Sequence, residues 1–445
     1  MNDHSHQSLG SHVLHAVPDH ARLVLEPGCG EGDLGRAYKA SHPEARWIGV
    51  EAASGPAQIA ARFLDQVHIM DVESDALPNI GHGFDTVVIR DLLVRVREPG
   101  RLLANLHNMT STDARIVCCL PNMGHLSVLE RFVGGDISHD DNGLLDSANL
   151  RFYSPPSANK LFLDAGWLPH MSEAIRFGVH DSPVVRHLLA AAEHMGVPQQ
   201  TALRNLTLHQ MIFTCQKVPA ASTESPALSR PFSVIVPVNR PWQFELNIAR
   251  SPGLMEVGAE IVVVNDAKTA SQAYEERAAR ASYPWRIMAH QDVYFPVGSG
   301  HAISTLLRAQ EAKGALPSVM GFAGLHADSG LTVGLRKAGL VVDRTHLFSE
   351  PATERAVSLD EFAVVLHRDS PLRIDAHLGW HLWATDLCLQ ALSMASLSPP
   401  SVVRVPIFHN STTSYELPDE FHASAAVLRR KYPHLISIPT LCGML

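Results

Sequence analysis

The run Leu23-Val24-Leu25-Glu26-Pro27-Gly28-Cys29-Gly30-Glu31-Gly32 most constrains this chain, because an apolar strand breaking into alternating glycines fits few places in a fold. Glycines at that spacing let the backbone turn sharply and approach a ligand closely. The residues after this loop keep one rhythm. Trp47–Val50, Val67–Met70, Thr86–Ile89 and Ile116–Leu120 read as short strands, with longer amphipathic stretches between them. Strand alternating with helix predicts a parallel, doubly wound α/β sheet whose buried strands are nearly continuously apolar. Residues 183–204 read as one inserted helix, and His209–Cys215 as a late strand, expected to be antiparallel, that closes the sheet.

At 445 residues the chain exceeds one ordinary core, and two domains are expected. Residues 217–231 are rich in Pro, Ser and Ala without hydrophobic periodicity, which is the pattern of a linker. A second strand series then opens at Phe232–Pro237 and continues in Glu260–Val264, Trp285–Ala289, Ser318–Phe322 and Ala363–Leu366. The expected organisation is a flexible tail over 1–20, a first domain over 21–218, a linker over 219–230 and a second α/β domain over 231–445. The histidines of the tail, among them His4, His6, His12, His15 and His20, follow no ligand spacing and read as a solvated, frayed end.

Composition excludes several classes. A hydrophobic fraction of 46% with 18% charged residues is that of a folding chain, not a disordered one. No stretch reaches the roughly 18 apolar residues that span a bilayer, and the polar N-terminus lacks a signal peptide's apolar segment, so a cytoplasmic protein is expected. A net charge of -9 argues against a nucleic-acid partner. The six cysteines are scattered, mostly through apolar runs, as small buried hydrophobes.

Charge bears on what the glycine loop holds. Gly30-x-Gly32-x-x-Gly35 formally satisfies the dinucleotide fingerprint, which leaves an NAD-dependent oxidoreductase as an alternative. Glu26, Glu31 and Asp33 would repel a pyrophosphate, however, whereas S-adenosylmethionine brings an ammonium and a sulfonium that acids stabilise. Glu51 ends the next strand about 20 residues on, where a carboxylate accepts ribose hydroxyls. Asp71 follows the third strand within reach of an adenine amino group, and Asp85 opens the fourth, beneath the cofactor.

Leu-Glu-Pro-Gly-Cys-Gly-Glu-Gly, Gly-Val-Glu, Asp-Val-Glu and Phe-Asp-Thr-Val-Val-Ile, in that order, resemble a class I S-adenosylmethionine-dependent methyltransferase with a Rossmann-like fold. The resemblance implies cofactor contacts from Glu26, Gly28, Gly30, Glu51 and Asp71. Leu120-Pro121-Asn122 and Asn149-Leu150-Arg151-Phe152-Tyr153 are similar to the subgroup that methylates sugars and small metabolites, so a small-molecule or saccharide acceptor is implied. That subgroup carries histidines where Arg95 and Asn149 stand here. Methyl transfer to oxygen or nitrogen needs a base, and His125 is the nearest candidate; a helix-cap histidine is the other reading.

In the second half, Met288-Ala289-His290-Gln291-Asp292-Val293 is an apolar strand ending in His-x-Asp, the kind of strand end that offers a divalent cation, magnesium or manganese, hard oxygen ligands. This stretch, with Val357–Phe362, Trp380–Cys388 and His409-Asn410-Ser411, resembles family 2-like glycosyltransferases of the GT-A fold, in the branch similar to a streptomycin-biosynthesis domain. The resemblance implies a nucleotide sugar held by Asp266, a metal on Asp292 with His409 as a late metal or diphosphate contact, Asp386 as the base on the acceptor hydroxyl, and Asp360 touching the acceptor. The whole chain then reads as a bifunctional fusion acting on a saccharide or glycosylated metabolite. Its rival is a binding or scaffold protein with one or both halves catalytically degenerate.

Overall fold

The computed structural model describes residues 10–178, 183–218, 230–313, 318–413 and 416–445. Most of the expected linker, residues 219–229, lies outside the described residues. The chain forms two compact units, Met1–Ala220 and Ala221–Leu445.

In the first unit a short helix α1 over residues 10–16 precedes β1 (Leu23–Pro27). There follow α2 (Asp33–Ser41), β2 (Arg46–Glu51), α3 (Ser54–Ala60), β3 (Gln66–Ile69), β4 (Phe84–Arg90), α4 (Pro99–Met109) and β5 (Thr110–Pro121). The unit closes with α5 (Leu126–Gly134), α6 (Pro155–Asp164), β6 (Trp167–Arg176), α7 (Pro183–His194), α8 (Gln199–Thr207) and β7 (Leu208–Lys217). The seven strands lie in the order β3-β2-β1-β4-β5-β7-β6. Strands β1 to β5 pair in parallel, and β7 runs antiparallel to both β5 and β6.

Both faces of this sheet are covered, which is why its strands lack a polar face. Leu25, Val87, Ile116 and Cys118 point into one core, and Val24, Val88, Val117 and Cys119 into the other. The cysteines are free thiols, all buried except Cys442. Two expectations need correction. Residues 10–17 are not a solvated tail, because Val13 and Val17, one helical turn apart, are buried in the second of these cores. Residues 183–204 form two helices rather than one, since Pro198 caps α8 and its predecessors Gly196 and Val197 turn the chain.

The second unit contains β8 (Ser233–Pro237), α9 (Pro241–Leu246), α10 (Pro252–Glu256), β9 (Glu260–Val264), β10 (Trp285–Ala289), β11 (Val293–Tyr294) and α11 (Ser299–Ala312). It continues with β12 (Met320–Gly321), β13 (Ala323–His326), β14 (Arg336–Asp343), β15 (His346–Glu350), β16 (Ala356–Leu359), β17 (Ala363–His367) and α12 (Trp383–Ser393). The last elements are β18 (Ser401–Val402), β19 (Ile407–His409), α13 (Asp419–Lys431) and a two-stranded ribbon of β20 (Pro439–Thr440) and β21 (Gly443–Met444). One six-stranded sheet has the order β18-β12-β17-β10-β8-β9, with β17 antiparallel to its neighbours. A second, β11-β19-β14-β13-β16 with β15 on β14, is not foreshadowed in the sequence.

Among the described residues no helix is long and apolar enough to cross a membrane.

Gly49 shows how tightly β2 packs beneath the glycine loop: a Cβ there would lie 2.6 Å from the Cys29 sulfur and 2.9 Å from Leu64. Gly49→Ala is expected to destabilise the first unit by about 1–3 kcal/mol through overpacking. The check is a lowered thermal or urea midpoint for the first unit's transition; an unchanged midpoint contradicts this packing.

Candidate functional site

The loop after β1 takes its shape from backbone bonds to the neighbouring strand. The Gly28 and Cys29 amides both donate to the Val50 carbonyl, at 2.7 and 3.1 Å, and Gly32 donates back to Cys29 at 2.9 Å. Gly28, Gly30 and Gly32 have φ of 75°, 55° and 81°, a left-handed region where side chains are strained. The working register is therefore Gly28-x-Gly30-x-Gly32. Gly35 instead sits inside α2, where a Cβ would lie 2.4 Å from Leu64, so it serves packing.

A cavity of about 900 Å³ opens over this loop. Its walls include Gly28, Gly30 and Glu51 from the strand ends, Asp33 and Arg36 from α2, Gly10, Ser11 and Leu14 from α1, Arg90 at the end of β4, and Asp91, Leu92 and Arg95 after it. Glu51 accepts the Gly30 amide at 3.0 Å and the Ala53 amide at 2.9 Å, which fixes its carboxylate at the cavity wall. Glu26, expected as a cofactor contact, instead lies beneath the loop, 1% exposed and not among the cavity's lining residues, and accepts the Trp47 indole N–H at 2.7 Å. Burial pushes its carboxyl up to about 7, against the opposing pull of Trp47 and Arg90.

The other expected residues of this half go elsewhere. Asp71 is exposed just beyond β3, accepting the Glu73 amide at 2.9 Å, and is not among the cavity's lining residues. Asp85 does not lie beneath the cofactor loop. It is the second residue of β4 and accepts the Arg22 and Leu23 amides at 2.9 and 2.8 Å, which places it at the amino edge of the parallel sheet. His125 is a helix cap: its Nδ1 accepts the Ser127 amide at 3.2 Å, and its ring meets those of Phe177 and His209. It too is absent from the cavity's walls. Asn149 is buried, bonded to the Leu144 carbonyl, while Arg95 lines the cavity and pairs with Asp146 at 3.2 Å. Sequence reasoning missed Arg36, Arg90 and Asp91. For Asp91 a signal existed, since it follows an apolar parallel strand at the ligand-binding edge, where its φ of 52° is left-handed without glycine.

In the second unit a cavity of about 760 Å³ lies over the carboxyl ends of β8, β9 and β10. Asn239, Asp266, His290, Gln291, Asp292 and Trp380 are among its lining residues. Strand register assembles a cluster there. His409 pairs with Val293, next to Asp292, on one side and with Asp343 on the other. Its Nε2 stands 3.6 Å from Asp292 Oδ1, and its Nδ1 2.9 Å from Asp343 Oδ1. One ligand atom each from His290, Asp292 and His409 lies within 4.8 Å of the others.

The donor chemistry of this cluster fits a cation. Asp292 Oδ1 is buried without a hydrogen-bond partner, the usual sign of a group awaiting a ligand. Asp343 on His409 Nδ1 is the carboxylate–histidine arrangement that directs the other ring nitrogen toward a metal. Burial pushes His290 down to about 4, so it is neutral and able to ligate at pH 7. Burial opposes charge on both Asp292 and His409, but their mutual attraction holds Asp292 down to about 2 and, with Asp343, pushes His409 up to about 10. His409 is thus protonated at pH 7, and a cation bound at its Nε2 must displace that proton; the resulting set of two imidazoles and one carboxylate suits manganese or zinc better than magnesium.

Asp386 is not positioned as an acceptor base. It sits on α12 with no exposure, accepting from Lys431 Nζ and the Tyr432 hydroxyl, each at 2.8 Å, and from Gln390 at 2.7 Å, so its oxygens are already engaged. Gln291, in the middle of His-Gln-Asp, accepts the Asn239 and Arg240 amides at 3.1 and 2.9 Å and shapes the loop. Asp360 is half-buried at the turn after β16, and burial raises its carboxyl.

Residues 10–214 match the family model described as "Methionine biosynthesis protein MetW". No curated protein matches the chain. Solved structures similar to it include the YcgJ protein of Bacillus subtilis, 16% identical over 48% of this chain and 100% of that one, with a TM-score of 0.35. An S-adenosylmethionine-dependent methyltransferase from Archaeoglobus fulgidus is 17% identical over 47% of this chain and 94% of that one, with a TM-score of 0.35. Magnesium protoporphyrin IX methyltransferase from Synechocystis, solved with bound S-adenosylhomocysteine, is 15% identical over 47% of this chain and 81% of that one, with a TM-score of 0.30.

The buried Glu26 has a pH consequence. Its folded value, about 7, lies above the ordinary 4.5, so the folded chain holds a proton that the unfolded chain releases. Stability is then full below about pH 4.5 and falls as pH rises to about 7, by on the order of 2–3 kcal/mol. Glu26→Gln is expected to flatten this dependence, measured as the first unit's melting temperature between pH 5 and pH 8. An unchanged slope would show that Glu26 titrates normally.

Proposed function

We propose that the first unit binds S-adenosylmethionine over Gly28, Gly30 and Glu51 and transfers its methyl group to a small-molecule or saccharide acceptor. The observation that carries this reading is the glycine loop of a doubly wound sheet walled by acids, with Glu51 at the end of β2 and a cavity of about 900 Å³ above it. The acids stabilise the ammonium and sulfonium, and an arginine of the wall takes the cofactor's one carboxylate. Asp91, after β4, is the carboxylate on the cavity wall suited to receive the acceptor's proton, the role that the capping His125 does not fill. The matching family's description concerns the biosynthesis of an amino acid, which is in keeping with a small acceptor.

For the second unit, we infer nucleotide-sugar-dependent glycosyl transfer. Asp266 would meet the nucleotide, and His290, Asp292 and His409 would hold a divalent cation against the diphosphate. A bound cation neutralises the leaving diphosphate. The buried Asp292 oxygen, without a hydrogen bond and 3.6 Å from His409 Nε2, supports this over a degenerate domain. Together the two units make a bifunctional enzyme of saccharide or glycosylated-metabolite biosynthesis.

Titration calorimetry tests the first reading. The protein is expected to bind S-adenosylhomocysteine, with Glu51→Ala weakening binding about tenfold or more, as loss of a charge-assisted pair of hydrogen bonds does. Stabilisation by NAD alone would overturn it in favour of a dinucleotide enzyme. For the second unit, manganese-dependent hydrolysis of a panel of nucleotide sugars is expected, and Asp292→Ala should abolish it; absence of both turnover and nucleotide binding would identify the domain as degenerate.

A further inference from the structure

A second polar cavity of the second unit, about 200 Å³, is lined by three arginines, Arg286, Arg368 and Arg373, together with Glu275, His367 and Ser370. It lies away from the His290–Asp292–His409 cluster in the strand sequence, since Arg286 is near the start of β10 and His290 follows its end. Arg286 occupies the interior of the sheet, paired with Ser233 on β8 and Leu366 on β17. Its backbone is therefore held on both sides. Arg368, two residues beyond Leu366, falls on the same face.

A guanidinium in such a place is costly unless partnered. The Nε of Arg286 is buried with no hydrogen-bond partner. Burial lowers its pKa and the like charge of Arg368 lowers it further, with Asp369 opposing, so the neighbourhood holds excess positive charge. Glu275, the one carboxylate on the cavity wall, accepts the Ile374 amide at 2.7 Å and offsets only one of the three guanidinium charges. Arg373 is braced by two bonds from its Nη1 to the Ser370 and Leu372 carbonyls, both 2.7 Å, and Arg368 by one to the Ser282 carbonyl at 3.2 Å. Two guanidiniums are thus held by backbone carbonyls, while the third has an unused buried donor.

We propose that this cavity is a binding site for a small oxyanion of phosphate or carboxylate type. Guanidinium forks match such oxygens bidentately, which makes arginine the residue for this recognition. The volume limits the ligand, being smaller than the roughly 300–1,000 Å³ typical of sites for organic molecules. An anion between Arg286 and Arg368 removes their repulsion and satisfies the orphaned donor. The site is independent of both functions proposed above.

Calorimetric titration of the full chain with inorganic phosphate, and separately with acetate, at matched ionic strength in chloride, tests the inference. Saturable binding of either anion is expected, phosphate or acetate telling which oxyanion is preferred. Arg286→Met and Arg368→Gln should each weaken it about tenfold or more, while Asp292→Ala, in the other cavity, should leave it unchanged. Arg286→Met should also raise the melting temperature in anion-free buffer by removing the buried unpartnered Nε and the repulsion from Arg368. If Arg286→Met does not fold, Arg368→Gln, at an exposed position, carries the same expectation. No binding by the unaltered protein, or equal binding by Arg368→Gln, overturns the proposal.

Discussion

The bond from the Trp47 indole to the Glu26 carboxyl, 2.7 Å and wholly buried, is the interaction on which the first unit's site depends. A carboxyl group at the end of a parallel strand cannot be left unpaired beneath a loop without a penalty of a few kcal/mol, roughly. Trp47, fully buried near the start of β2, supplies the donor from beneath the strand ends. The loop's own backbone bonds to Val50 then place Gly28 and Gly30 over the gap, and Glu51, the next residue, closes onto the Gly30 amide. Cavity wall, loop conformation and carboxylate position follow from one satisfied polar group.

The second unit reaches a comparable result by register. His409, Asp292 and Asp343 are far apart in sequence, and each belongs to or adjoins a different strand of the second sheet. One antiparallel pairing and one parallel pairing bring them to a single imidazole. Since a one-residue slip turns every side chain to the other face, the pairing of β19 with both neighbours specifies the cluster as strictly as a covalent link would. The stacked ring of Phe362, 5.0 Å from that of His409, fixes the imidazole plane.

Much of this was legible in the sequence where burial is two-sided. Val24-Leu25, Val87-Val88-Ile89 and Ile116–Leu120 are strands because both faces of the sheet need apolar residues. The glycine loop and Glu51 stand out for the same reason, as polar punctuation at strand ends. The features that escape a reading of the sequence depend on contacts distant along the chain. Strand β6 carries Pro169 and polar residues because it is an edge, and β14 with β19 gains its meaning only through pairing. Asp386 sits on a helix whose sequence resembles an acceptor site, yet α13 and the residue after it cover it with Lys431 and Tyr432. Asp85 shows the limit of counting from motifs, since the first and last residues of a parallel strand lie on opposite edges of the sheet.

Helix α1 gives the first unit's cavity a further property. It contributes Gly10, Ser11 and Leu14 to the wall, and its described residues, 10–16, are held by tertiary contacts. Its attachments are the burial of Val13 and Val17 and the His12–Glu173 pair. Docking of this helix and filling of the cavity are therefore thermodynamically linked. Whatever free energy a ligand gains by touching the helix is returned as protection of the helix, by reciprocity. Protection of these residues against hydrogen exchange is then a measure of cavity occupancy, read at a helix rather than at the ligand.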